Sequence, residues 1–265
     1  MTLPTLFISH GSPMFAVEPG RLGPQLGRLG ERLPRPRAVL VLSPHWVSHG
    51  VEVQAAAAPA TIHDFGGFPA VLYTLSYPAP GAPDLAREVV ALLVRGGIAA
   101  SPTTSGGLDH GAWVPLRHLY PAADVPVLQV SQPLTRDPRV LFALGQALAP
   151  LREAGVLIVG SGSLTHNLQD FRGGGADAYA AEFAEWVWQT LASGDLEALL
   201  DYRVRAPHAR RAHPTDEHFL PLYFALGAAG PDRGSVTRLE GGVRCGAISM
   251  DSFVFGHRAE EVSAQ

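Results

Sequence analysis

The segment Ala38-Val-Leu-Val-Leu42 is apolar at five consecutive positions, and Val156-Leu-Ile-Val159 is apolar at four. A strand with one wet face alternates apolar and polar residues, so unbroken runs this short belong to strands covered on both faces, at the centre of a parallel sheet. Such a sheet needs helices to cover it and to carry its crossovers. Apolar runs at Leu3 to Ser9, Ala38 to Ser43, Val51 to Ala57, Val125 to Val130, Val156 to Gly160 and Ala247 to Val254 predict strands. Asp84 to Arg95, Pro138 to Glu153, Ala178 to Leu191 and Asp216 to Leu226 place apolar residues three and four apart and predict amphipathic helices. The alternation predicts an α/β fold around a mostly parallel sheet.

Three of these runs are followed closely by a histidine: His10, His45 and His166. In open α/β sheets ligands gather beyond the carboxyl ends of the strands, so the three imidazoles predict one shared site, and imidazoles in a group predict a metal centre. The single cysteine, Cys245, leaves no disulfide and no thiolate set, so a metal must be held by His, Asp or Glu. A fourth histidine, His218, follows Thr215, a good N-cap, and is expected in the first turn of a helix through Leu226, with Pro221 limiting where that helix starts.

Other residues suit the chemistry around such a centre. His110 lies in the Gly-rich stretch Gly106 to Trp113 and is the expected proton carrier, since an imidazole both accepts and returns protons near neutral pH, with Asp109 to orient it. His63 sits in Ile62 to Pro69, whose glycines and aromatics suit a segment covering a substrate. Trp46, Trp113 and Tyr223 are candidates to pack on an aromatic ring. Gly160-Ser-Gly-Ser163 lacks the Gly-Lys-Ser/Thr ending of a phosphate loop and reads as a tight turn positioning His166.

A length of 265 residues at 46% hydrophobic suits one catalytic domain, residues 1–265. The Gly/Pro-rich stretches, Pro78 to Pro83, Ser105 to Gly111 and Gly173 to Gly175, are too short for linkers. The net charge of -4, from 20 basic and 24 acidic residues spread along the chain, offers no basic run to follow a phosphate backbone and speaks against nucleic acid as a partner. No apolar stretch approaches the roughly 20 residues that cross a bilayer, and the N-terminus shows no basic segment followed by a hydrophobic one. A cytoplasmic location is expected.

Six motifs then occur in one order: His10-Gly-Ser-Pro13, Ser43-Pro-His45-Trp46, Ile62-His63-Asp-Phe-Gly-Gly-Phe-Pro69, Asp109-His110-Gly-Ala-Trp113, Thr165-His166-Asn167-Leu168, and Glu217-His218 with Leu220-Pro221-Leu222. In these the chain resembles the class III extradiol ring-opening dioxygenases of the DOPA-dioxygenase type, in the LigB-like superfamily, over roughly positions 3 to 255. The resemblance implies a three-layer α/β/α sandwich. It implies a metal at His10, His45 and His218, with His166 as a fourth ligand or a close donor, Fe(II) in the active enzyme, and Zn(II) able to occupy the site. It implies a small catechol, a DOPA-like 1,2-diol, and O₂ as substrates. Two other readings of the residues stay open: a zinc-dependent hydrolase using Glu217 or Asp64 as base, and a non-catalytic metal-binding scaffold on the same fold.

Overall fold

The computed structural model describes residues 2–172 and 178–256; Gly173 to Gly175 and the last nine residues fall outside them. Eight strands form one sheet in the order Ala100–Thr103, Val51–Gln54, Val127–Pro133, Ala38–Ser48, Val156–Gly162, Thr5–Ser9, Ser252–Phe255, Val236–Leu239. The two segments with unbroken apolar runs are neighbours at its centre. Ala38–Ser48 pairs in parallel with both Val127–Pro133 and Val156–Gly162, and Val156–Gly162 pairs in parallel with Thr5–Ser9. Within this sheet antiparallel pairing is confined, among the described residues, to Ser252–Phe255 with its two neighbours and to Val51–Gln54 with Val127–Pro133.

Successive residues of these strands serve opposite layers, as the two-residue period of a strand requires. Leu40, Leu42, Leu128 and Ile158 pack with helices Pro83–Arg95, Pro138–Leu148, Ala178–Ser193 and Pro221–Ala228. Val39, Val41, Val127 and Leu157 pack with helices Leu22–Arg32 and His110–Leu119. The result is the three-layer α/β/α sandwich. Each such Val or Leu, fully removed from water, contributes roughly 1.5–3 kcal/mol of transfer free energy, so this double-sided burial is what selects the parallel arrangement.

Several element boundaries differ from the sequence expectation for local reasons. The strand predicted to stop at Ser43 continues to Ser48 through a bulge: Ser43 pairs with Ser131 and Val47 with Gln132, so Pro44, His45 and Trp46 are extra residues pushed out of the ladder. Pro44 has no N–H to give to that ladder. The helix drawn from Asp216 begins at Pro221, its first position, where the missing N–H costs nothing. Thr215 therefore caps no helix; its hydroxyl donates to Glu217 Oε1 at 2.9 Å. The stretch read as a Gly-rich loop around His110 is the start of helix His110–Leu119, capped by Asp109, which accepts from the Ala112 N–H. Ala247 to Val254 splits into Ile248–Ser249 and Ser252–Phe255.

Gly160 and Gly162 lie inside the strand Val156–Gly162 rather than in a tight turn. A Cβ at Gly160 would collide with the carbonyl of Pro221, and one at Gly162 with the carbonyl of His218. Helix Pro221–Ala228 lies directly on the strand because both side chains are absent. Gly160→Val is expected to cost about 3 kcal/mol or more, since the obstacle is backbone and cannot rotate away. Urea unfolding monitored by far-ultraviolet circular dichroism measures this, and an unchanged midpoint would contradict the close approach.

Candidate metal centre

Five histidines converge at the carboxyl edge of the central strands. His10 follows Thr5–Ser9 directly and is 1% exposed; Gly11 turns the chain away with φ of 61°, a left-handed conformation that favours glycine. His45 stands on the bulge of Ala38–Ser48. His110 opens its helix, His166 lies in the loop after Val156–Gly162, and His218 sits in the turn before Pro221, its carbonyl accepting from the Ser163 N–H at 2.8 Å. Ring centroids of His10, His45 and His218 stand 5.1–5.5 Å from one another, and His110 lies 4.0 Å from His45 and 5.4 Å from His10.

Hydrogen bonding places a proton on Nδ1 of His10, His110 and His218. Ser161 Oγ donates its only proton to the Gly111 carbonyl, so it accepts from His10 Nδ1 at 2.9 Å. His110 Nδ1 donates to Asp64 Oδ2 at 2.9 Å, His45 Nδ1 faces the same oxygen at 3.4 Å, and His218 Nδ1 donates to Glu217 Oε1 at 3.2 Å. In His10 and His218, which burial keeps neutral, Nε2 is left with its lone pair. His10 Nε2 and His45 Nε2 face each other at 3.2 Å. In the metal-free rings that separation suits an Nε2–H of His45 donating to the His10 lone pair, and it is also close to the roughly 3.3–3.4 Å between nitrogens standing about 2.0–2.1 Å from one tetrahedral ion. The residues present therefore fit a metal ion.

The nitrogens of His10, His45 and His110 form one candidate group of ligand atoms, and His166, Glu217 and His218 another. His166 stacks on His218 with centroids 3.6 Å apart and planes within 7°.

Burial, reinforced by repulsion among neighbouring imidazoles, holds these rings neutral. It lowers His45 to about 2 and His166 to about 3, and pulls His10 and His218 below the ordinary histidine value, the latter against the opposing pull of Glu217. Burial pushes Asp64 up, but the hydrogen bonds from the His110 ring and backbone outweigh it and bring the carboxyl to about 2. Glu217 is lowered to about 2 chiefly by its hydrogen bond from His218. His10, His45, His166 and His218 are unprotonated imidazoles with two carboxylates behind the cluster, the form a metal ion requires.

Asp109 does not orient His110. Its carboxylate, raised by burial against the pull of Gln129 and Ser43, accepts from Ser43 Oγ and Gln129 Nε2, both at 2.8 Å, and from the Ala112 N–H. Asp64 takes the orienting role, binding both the ring and the backbone N–H of His110; its place beside His63 in the Ile62 to Pro69 motif was the one signal for it in the sequence. Ser161 had no signal, since its role depends on Gly111.

Trp46 lines a pocket of about 130 Å³ with His45 and Asp64. Trp113 is fully buried, its indole donating to the Ile62 carbonyl at 2.9 Å. His63 Nε2 donates to the Leu75 carbonyl at 3.0 Å, and its ring packs among Phe65, Tyr73 and Trp113. Tyr223 is not at the site: it is fully buried against Phe219 and Tyr202, and its hydroxyl donates to the Leu199 carbonyl at 2.7 Å. It occupies the apolar face of helix Pro221–Ala228, which packs into the core.

A parallel α/β sheet with neutral imidazoles converging at its carboxyl edge defines a metal-dependent enzyme. Residues 4–255 match the family model described as the catalytic LigB subunit of aromatic ring-opening dioxygenase. A 4,5-DOPA dioxygenase extradiol of Beta vulgaris is 44% identical over 85% of this chain and 87% of its own, and one of Escherichia coli K12 is 39% identical over 96% and 95%. A crystal structure of an uncharacterised Escherichia coli K12 protein superposes with a TM-score of 0.77 at 32% identity, covering 96% of this chain and 100% of that one. The chain belongs to the LigB family of aromatic ring-opening dioxygenases. It is an extradiol ring-opening dioxygenase, an oxidoreductase acting on an aromatic substrate with O₂, and the hydrolase and scaffold readings fall away. Among the described residues no helix is long and apolar enough to cross a membrane.

Histidines with lowered values bind fewer protons folded than unfolded, so stability falls as pH drops below the unfolded value near 6.5 and keeps falling toward the folded values of about 2 and 3. Fully buried His213, held at about 3, alone accounts for a loss of ~2 kcal/mol between pH 7 and pH 5. Metal-free protein should therefore melt progressively lower across that range. Added Zn(II) should raise the melting temperature at pH 7 and still do so at pH 5, because rings held at about 2 and 3 take up no protons in the folded state over that range; a metal effect lost by pH 5 would show that the folded rings titrate at ordinary values.

Proposed function

We propose that His10, His45 and His218 hold the metal through their Nε2 atoms, with Fe(II) in the active enzyme and Zn(II) able to take its place, and that the substrate is a small DOPA-like catechol. The observation that carries this reading is the approach of His10 Nε2 and His45 Nε2 to 3.2 Å, with the His218 ring centroid at 5.1–5.5 Å from both of theirs. The names of the relatives, 4,5-DOPA dioxygenase extradiol, support the catechol. Two imidazoles and a carboxylate are the commoner set for iron that activates O₂. Here Glu217 spends an oxygen on His218 Nδ1, which supports three imidazoles instead. When bound, Fe(II) supplies a site for both catechol oxygens and O₂ and passes electrons between them.

The protein's own groups position the substrate and move protons. His110 Nε2 takes a proton from a catechol hydroxyl and returns one when the ring opens; Asp64 keeps the Nδ1–H tautomer that leaves Nε2 as the base. His166 lies against the face of His218 and holds that ring in position by stacking. His63 and Trp46 bound the approach to His110 and His45, with His63 anchoring the Ile62 to Pro69 segment through the Leu75 carbonyl. The family match over residues 4–255 supports one catalytic domain.

Metal-stripped protein reloaded anaerobically with Fe(II) or Zn(II) and offered catechols including DOPA tests the activity. O₂ uptake with a yellow ring-opened product is expected from the iron sample alone, and silence from protein holding one iron per chain would remove the assignment of metal and substrate. His110→Ala should keep its iron and lose turnover by about 10²–10⁴, whereas His218→Ala should lose the metal itself, measured by elemental analysis.

A further inference from the structure

His10, His45 and His110 stand on or directly beside regular elements: a strand end, a strand and a helix start. His166 and His218 do not. His166 lies in the loop after Val156–Gly162, and His218 lies between His213 and Pro221, where the chain forms neither helix nor strand. Such backbone has no ladder to fix it, so the groups that hold these two segments decide where their imidazoles stand. The His166 N–H donates to the Ala212 carbonyl at 2.8 Å, and the fully buried His213 ring donates from Nε2 to the Leu164 carbonyl at 2.9 Å, so residues 212–213 hold the His166 loop. The turn carrying His218 is closed by the Asp216 carbonyl, which accepts from the Phe219 N–H at 2.9 Å and the Leu220 N–H at 3.2 Å.

One side chain joins the two segments. Arg203, in the short helix Tyr202–Arg205, donates through Nη1 to the His213 carbonyl and pairs through Nη2 with Asp216 Oδ1. Asp216 is buried, and the same Oδ1 also accepts from the Tyr202 hydroxyl at 2.6 Å. A guanidinium carries its donors in a rigid fork, so one planar group sets the spacing between the His213 carbonyl and the Asp216 carboxylate. A buried carboxylate that loses its cation is costly to keep in place, and Asp216 stands two residues before His218.

We propose that Arg203 and Asp216 are positioning residues of the metal centre: together they hold the turn that brings the His218 ring to the ion and keep the His166 ring stacked on it, 3.6 Å away. They act through His218 and His166 rather than on the substrate. This role rests on the reading of His218 as a ligand and adds to it what fixes a ligand that stands on irregular backbone. Groups that orient metal ligands from outside are typically worth 10–100-fold in metal affinity.

Zinc affinity, measured at pH 7 by competition with a chromogenic chelator, and the visible absorption of the Co(II)-loaded protein test the role without turnover. Arg203→Ala should weaken Zn(II) binding by about 10–100-fold and shift the Co(II) bands, which follow the number and geometry of the ligands. Arg203→Lys keeps the charge but offers one nitrogen for two acceptors, so its affinity should fall between Arg203→Ala and the unaltered protein. Asp216→Asn removes the ion pair, leaves an acceptor for the Tyr202 hydroxyl, and should weaken binding in the same direction. If Arg203→Ala does not fold, these two variants carry the test. Leu93→Ala removes a fully buried side chain from helix Pro83–Arg95, which carries none of the five histidines, and so lowers stability while leaving zinc affinity and the Co(II) bands unchanged. Unaltered zinc affinity and Co(II) bands in the folded Arg203 and Asp216 variants, or an equal loss of affinity in Leu93→Ala, overturn the positioning role. A His218→Ala protein that binds zinc as tightly as the unaltered one overturns instead the ligand assignment on which the role rests.

Discussion

The catalytic edge of this protein depends on backbone approaching backbone where glycine leaves no side chain. Gly160 and Gly162 admit the carbonyls of Pro221 and His218, and Gly111 fits against Ser43, Asp109 and His45 with no room for a Cβ. Ser161, between the first two glycines, accepts from His10 and donates to Gly111. One three-residue strand end thus brings together His10, the turn carrying His218 and the helix start carrying His110. A larger residue at any of the three glycines displaces at least one imidazole.

Around that edge the same arrangement is used twice. Asp64 and Glu217 each sit on the outer side of an imidazole, hold its Nδ1–H, and turn its Nε2 inward. Burial makes protonation of the rings costly, and the two carboxylates supply negative charge just outside the cluster, so a cation at the centre is favoured over protons spread across the rings. Asp109, one residue from His110, spends its charge differently. It caps a helix and ties that helix to Ser43 and Gln129 on the central strands, which fixes where His110 begins.

The surroundings are asymmetric. On the Trp46 side the space is small, about 130 Å³, and walled by Asp64, Asp109 and the Ser105 to Gly107 loop. On the Glu217 side it widens to about 560 Å³ between the ends of two parallel strands. The bulge in Ala38–Ser48 creates this difference, because Pro44, His45 and Trp46 leave the ladder and Val47 rejoins it opposite Gln132. A single local irregularity therefore aims a histidine at the centre and opens the larger cavity beside it.

The layers were legible in the sequence. The runs at Ala38 and Val156 are apolar on both faces, and only a covered parallel sheet makes use of that; the histidines following three strands marked the active edge for the same reason. Tyr223 was misread because a tyrosine near His218 in sequence need not share its direction: helix Pro221–Ala228 turns it into the core. The helix carrying His110 was hidden by the glycines around its start, Gly106, Gly107 and Gly111, which look like a loop until Asp109 is seen to cap it. What the chain alone determined is the chemistry available, three imidazoles that follow strands and two more, His110 and His218, with acidic neighbours in sequence. Only the tertiary structure decided which carboxylate meets which imidazole and where the cavity opens, because those pairings join residues as far apart as Asp64 and His110, or Ser161 and His10, through contacts that have no periodicity along the chain.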